Sequence, residues 1–159
     1  MVRLFLFVIV GIGVLGGVWF FDRESGKPAT TSEIPTGEVL STAIISGVEL
    51  RLEIVRTSEE QVRGLSGREL LAENSGMLFV YENPVMPGFW MKEMNFAIDI
   101  IWIDENKKIV GMNENIAPET FPEIFYPPSP VQYVLEINAN WTKTHNISIG
   151  DEITFHGIF

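Results

Sequence analysis

The chain is 159 residues long and carries 21 acidic against 11 basic side chains, a formal net charge of −10 at pH 7. That balance repels nucleic acid and anionic headgroups, so no nucleic-acid partner is expected. There is no cysteine, hence no disulfide framework and no thiol nucleophile, and the two histidines, His145 and His156, are too few for a His-based zinc site. Acidic oxygens suit calcium or magnesium, but no spaced ligand motif occurs, so neither metal nor cofactor is expected.

From Leu4 to Phe21 there are 18 consecutive residues without a charge, 13 of them Leu, Ile, Val or Phe. As a helix this run spans ~27 Å, close to the ~30 Å core of a bilayer. Polar residues at a helical period, the mark of a buried soluble helix, are missing. The bulky Trp19-Phe20-Phe21 end lacks the small residues that a signal peptidase needs, and suits an interfacial aromatic belt. Residues 4–21 are therefore expected to be a retained single-pass transmembrane anchor in contact with the lipid bilayer. Residues 1–3 would form a short cytoplasmic end, with the following domain outside the cytoplasm. A secreted form after cleavage near Asp22 is the alternative. Gly13 and Gly17 make a small-xxx-small pair that suits weak helix dimerisation. Residues 22–37, with Pro28, Pro35, Gly26, Gly37 and a Ser/Thr run, read as a flexible linker.

Residues 38–159 hold eight Lys or Arg against eighteen Asp or Glu, enough chain for one core. Val39 to Ser46 and Val48 to Ile54 read as paired strands around Gly47, the second alternating Val48, Leu50, Leu52 and Ile54 with Glu49, Arg51 and Glu53. Ser58 starts a short helix with Glu59, Glu60 and Gln61 in its first turn, ended by Gly64 and Gly67. Strands are predicted over 77–81, 87–92, 98–104, 108–112, 131–138 and 152–155, with Glu105-Asn106-Lys107 as a hairpin loop. Ile98 to Ile103 is apolar on both faces and is expected to be the central strand. The Pro-rich, aromatic stretch 115–130 is expected to cover one opening of the β-structure as a lid. Ala139 to His145 is expected to make a helical turn or two. The fold class is mainly β, a compact β-sandwich or barrel with one or two short helices behind an N-terminal transmembrane helix.

Successive blocks carry a family resemblance. They are Gly64-Leu65-Ser66-Gly67-Arg68, Gly76 to Tyr81, Phe89-Trp90-Met91-Lys92-Glu93-Met94, Ile98-Asp99-Ile100, Trp102-Ile103-Asp104, Val134-Leu135-Glu136-Ile137 and Gly150-Asp151. In that order they resemble the family called domain of unknown function 192. The resemblance implies a small, mostly β domain, often exported or membrane-tethered, with no established role. The chain lacks the cysteines that many members carry before the last long strand, so no role resting on those thiols applies.

The candidate ligand-binding residues are Arg68, Trp90, Lys92, Asp99 and Glu136. Alternation sends Trp90 and Lys92 to one face of 89–92 and Phe89 and Met91 to the other. Asp99 and Glu136 interrupt apolar runs, and an unpaired buried carboxylate costs several kcal/mol, so each must meet a cation or backbone N–H groups. One reading puts Arg68, Lys92, Asp99 and Glu136 in a shared pocket. That pocket would serve an extracytoplasmic binding or accessory module whose partner is a small molecule, a glycan or an envelope protein. A second makes Asp99 or Glu136 the acid–base group of a hydrolase or lyase on a saccharide-like or carbonyl substrate. A third pairs all four charges for stability alone. No nucleophile elbow or phosphate loop is present, and an enzyme is the less favoured reading.

Overall fold

The computed structural model describes residues 41–158. The expected anchor at 4–21, its Gly13/Gly17 pair and the linker at 22–37 lie outside the described residues. Among the described residues, no helix is long and apolar enough to cross a membrane.

Among the described residues, seven strands form one sheet: β1 (Thr42–Ile45), β2 (Val48–Val55), β3 (Ser75–Val85), β4 (Ile98–Ile103), β5 (Ile109–Ile116), β6 (Val131–Asn138) and β7 (Ile153–His156), in the order β5-β4-β6-β3-β2-β1-β7. Two short helices are α1 (Ser58–Arg63) and α2 (Trp141–Thr144). The edge strands meet at one end, where Lys108 bridges Glu152 and the Ile153 amide donates to the Lys107 carbonyl at 2.9 Å. The sheet thus curls into a partly closed barrel, which resolves sandwich against barrel in favour of the barrel.

The β1–β2 hairpin turns at Ser46-Gly47, both with positive φ. The tight β4–β5 connection is the expected hairpin, with Asp104 Oδ1 accepting from the Asn106 and Lys108 amides at 2.9 Å. The parallel step from β2 to β3 runs through α1. That helix starts at Ser58 as expected and is capped by Thr57, in a reciprocal capping box with Glu60.

Side-chain alternation divides the core in two. The inner face holds Ala43, Leu50, Leu78, Ile101, Ile103, Leu135, Ile137 and Phe155, closed at one end by Trp141 and Ile147. The outer face holds Met77, Phe79, Ile98, Ile100, Trp102 and Val134, covered by Leu65, Phe89 and Met91. Phe79, Phe89 and Trp102 stack edge to face there, with centroids 4.8 and 5.5 Å apart.

Three expectations are corrected. β4 is buried throughout but lies second from the edge, and β3 is central. Apolarity on both sides of β4 reports cover on both faces, not rank in the ladder. Residues 87–92 are not a strand: Phe89 alone bridges Phe125, while the Lys92 and Glu93 carbonyls accept from Ser66 Oγ and the Gly67 amide at 2.9 and 2.8 Å. The Pro-rich stretch packs on the outer face rather than over an opening, with Pro128 so close to Gly111 and Trp102 that a Cβ at Gly111 would lie 2.9 Å from it.

Asp99 is the polar keystone of the inner face. Wholly buried, its Oδ1 accepts from the Asn115 and Asn140 amides at 2.8 and 2.9 Å, and its Oδ2 from the Thr142 amide at 3.0 Å and hydroxyl at 2.6 Å. Asn115 and Asn140 both hold left-handed φ, of 50° and 65°. Asp99→Ala leaves three backbone N–H groups without an acceptor, at ~1–3 kcal/mol each. Urea denaturation should therefore register a loss of at least ~3 kcal/mol, against less than ~1 kcal/mol for Glu53→Gln, which removes an exposed pair.

Candidate functional site

Glu136 lies on the outer face of β6, opposite Met77 on β3 and Ile100 on β4. Only 5% of its surface is exposed, and its Oε2 is buried without a hydrogen-bond partner. That carboxyl forms the polar floor of a cavity of about 220 Å³, walled by Phe79 and Tyr81 of β3, Gln61 of α1, the Gly64-Leu65-Ser66 turn, and Phe89, Trp90 and Met94.

Local chain chemistry builds each wall. Met77, Phe79 and Tyr81 are spaced by two along β3 and so share the outer face with Glu136. α1 ends at Gly64 with φ 49°, a conformation open to glycine. A Cβ there would stand 3.4 Å from the Phe79 ring and 3.8 Å from Glu136 Oε2, so the missing side chain leaves the cavity its roof space. Ser66 Oγ and the Gly67 amide hold the 92–93 turn, and Asn95 Nδ2 donates to the Arg68 carbonyl at 2.8 Å. These bonds tie both loops together over the sheet. Gln61 Nε2 donates to the Val80 carbonyl at 3.3 Å, which orients that side chain at the pocket wall.

Burial pushes the Glu136 carboxyl up from its ordinary 4.5 to about 8, with Arg68 pulling the other way. Tyr81 is pushed up to about 12, by burial first and then by Glu136. Both side chains are thus uncharged at neutral pH, each with a proton to donate. A protonated carboxyl donates one hydrogen bond and accepts others. The two-carboxylate acid–base arrangement is absent from this pocket, because Asp99 is on the other side of the sheet.

The five candidate residues are therefore not brought together. Glu136 and Trp90 share the cavity, Trp90 at its rim with 40% of its surface exposed. Arg68 Nη2 meets Glu53 Oε1 at 2.6 Å, and Lys92 Nζ points to Glu93 at 3.9 Å, more than half exposed. Asp99 meets backbone N–H groups instead of either cation. One register step separates Asp99, opposite Ile137, from Glu136, opposite Ile100. That step is enough to put them on opposite faces. The pocket joining all four charges, and the fully paired structural network, are both set aside by this geometry.

Sequence reasoning missed Gln61, Gly64, Phe79 and Tyr81 as pocket residues. The signal was available in the period of two at Met77, Phe79 and Tyr81, which puts an aromatic pair on whichever face holds Glu136. Among the described residues, no group of three or more His, Cys, Asp or Glu side chains is placed to hold a metal ion.

The architecture defines a small curled-sheet domain with an acid-floored cavity on its convex side. The chain belongs to the family called domain of unknown function 192, described as an uncharacterized ACR, whose model matches residues 41–155. Two crystal structures are similar. A Sinorhizobium meliloti 1021 protein provisionally named a transcription regulator is 28% identical with a TM-score of 0.68, over 74% of this chain and 95% of that one. A protein of unknown function from Novosphingobium aromaticivorans DSM 12444 is 30% identical with a TM-score of 0.67, over 76% of this chain and 89% of that one. No protein with a curated description matches the chain.

The buried acid gives stability a defined pH dependence. Above pH 4.5 Glu136 of the unfolded chain releases its proton, while the folded chain keeps it to about 8. The unfolded state then binds fewer protons, so this group lowers stability as pH rises between those values, by at most ~1.4 kcal/mol per unit, and adds nothing further above them. Denaturant titrations across this window should show wild type losing stability relative to Glu136→Gln. Parallel curves for the two proteins would contradict the assigned proton.

Proposed function

We propose that this domain is a binding module that holds a small ligand against Glu136 in the outer-face cavity. One observation carries the reading: a buried carboxyl group, one of whose oxygens has no hydrogen-bond partner, lines a cavity. Leaving such an oxygen unsatisfied costs on the order of 1–3 kcal/mol, and a ligand atom that hydrogen-bonds it recovers that loss. A second feature supports it. The blocks that carry the family likeness, including Gly64-Leu65-Ser66, Phe79, Tyr81, Phe89-Trp90 and Glu136, are far apart in sequence and converge on this cavity. In the same proposal, residues 4–21 tether the module to a membrane and residues 22–37 let it range outside the cytoplasm. Its role there is the capture of a small molecule or of a small group on a glycan or envelope protein. With a net charge of −10 the chain repels polyanions, and nucleic-acid binding is not part of the proposal.

A thermal-shift screen of chemically diverse fragments tests the binding reading. A ligand at a hundred times its Kd adds ~2.7 kcal/mol to stability. Compounds that raise the melting temperature of wild type are expected to lose that effect with Glu136→Gln. A screen in which no compound stabilises, or in which both proteins respond alike, refutes it. The tether is tested separately by alkaline carbonate extraction, where the full chain is expected to stay with the membrane pellet; its release would remove the anchor.

A further inference from the structure

The walls of the Glu136 cavity narrow the chemistry of what fits there. Four aromatic side chains line it, Phe79, Tyr81, Phe89 and Trp90, around a single carboxyl group. At about 220 Å³ it falls below the ~300–1,000 Å³ of sites that hold drug-sized ligands. The basic side chains nearby stay at the surface: Arg63 lines the mouth and is exposed, Arg68 is joined to Glu53, and Lys92 is turned to Glu93. The field of the whole chain, at −10, draws cations toward it and repels anions. Aromatic faces attract an organic cation through their quadrupole, by ~2 kcal/mol or more when the site is desolvated.

We propose that the cavity takes a small organic ammonium ion, its nitrogen against the Glu136 carboxyl group and its short apolar stem against the rings of Phe79, Phe89 and Trp90. This deepens the reading above and rests on the cavity being a ligand site. A neutral alcohol would make the hydrogen bond without the attraction to the rings, and a carboxylate ligand would face both the acid and the domain's negative field.

Proton linkage follows. Glu136 of the empty site holds its proton to about 8, and an entering ammonium sends that proton to solvent. The charged or titratable groups around it are Tyr81 from β3, Arg63 at the end of α1, Arg68 from the next turn, and the exposed Lys92–Glu93 pair. Affinity should therefore tighten by up to about tenfold per unit as pH rises toward 8, then level off.

Calorimetric and NMR titrations of the full chain in a non-ionic detergent test this, with n-butylammonium, tetramethylammonium, n-butanol and butyrate as probes. n-Butylammonium is expected to bind at least about tenfold more tightly than n-butanol near pH 8, a difference of ~1.4 kcal/mol. Tetramethylammonium, which has no N–H to donate, is expected to bind more weakly than n-butylammonium, and both to perturb Phe89 and Trp90 resonances. Glu136→Gln should weaken them by at least about tenfold and flatten the pH profile. Trp90→Ala, at a rim position with 40% of its surface exposed, should weaken them while leaving the pH profile in place. Equal or tighter binding of n-butanol or butyrate at the same resonances overturns the ammonium class and leaves the small-ligand reading standing. Binding by a fragment from the screen with silence from all four probes does the same. Silence from both probes and fragments removes the site altogether.

Discussion

The period-two alternation of a β-strand places two buried carboxyl groups on opposite sides of a single sheet. Asp99 and Glu136 belong to neighbouring strands and are offset by one register step, so one enters the barrel and the other faces the loops outside. Their environments then diverge. Asp99 meets amides from Asn115, Asn140 and Thr142 and becomes the tie between β4, the end of β5 and the start of α2. Glu136 meets Phe79, Tyr81 and a glycine, keeps an oxygen without a partner, and retains its proton at neutral pH. One acid ties the fold together, and the other lines a cavity.

The cavity over Glu136 depends on the irregular chain above it more than on the sheet. The 64–68 turn and the 92–95 turn exchange hydrogen bonds that fix their separation, and Phe89 anchors the second turn by stacking between Phe79 and Trp102. Gly64 contributes by lacking a side chain at a left-handed position above the acid. Loops braced in this way hold the cavity at fixed geometry on a rigid sheet. The aromatic rim at Trp90 remains partly open to solvent.

Much of the fold was legible. Strands β2, β4 and β6 could be placed from the Val48–Ile54 alternation and the apolar runs at 98–103 and 131–138, and the turns at Gly47 and Glu105-Asn106-Lys107 from their residues. Residues 87–92 misled because Phe-Trp-Met has strand propensity, yet Phe89 pairs only with Phe125, and the Lys92 and Glu93 carbonyls accept from the Ser66-Gly67 turn, a contact across 26 residues. Of the five residues singled out from the sequence, Glu136 and Trp90 line the cavity, and the burial of Phe89 and Met91 against the exposure of Trp90 and Lys92 follows the expected alternation. Arg68 and Lys92 were expected beside the acids, but exposed carboxylates nearer to each hold them outside.

From residue order alone came a mainly β domain, its hairpins, its family likeness and the demand that Asp99 find partners, because these rest on local periodicity, turn chemistry and the cost of burying charge. Glu136, expected to find them too, keeps its proton instead. Which strand neighbours which, which face each acid takes, and which loop lies above it were decided only in three dimensions. Those outcomes depend on register and on hydrogen bonds between segments distant in the chain, and no short window of sequence records them.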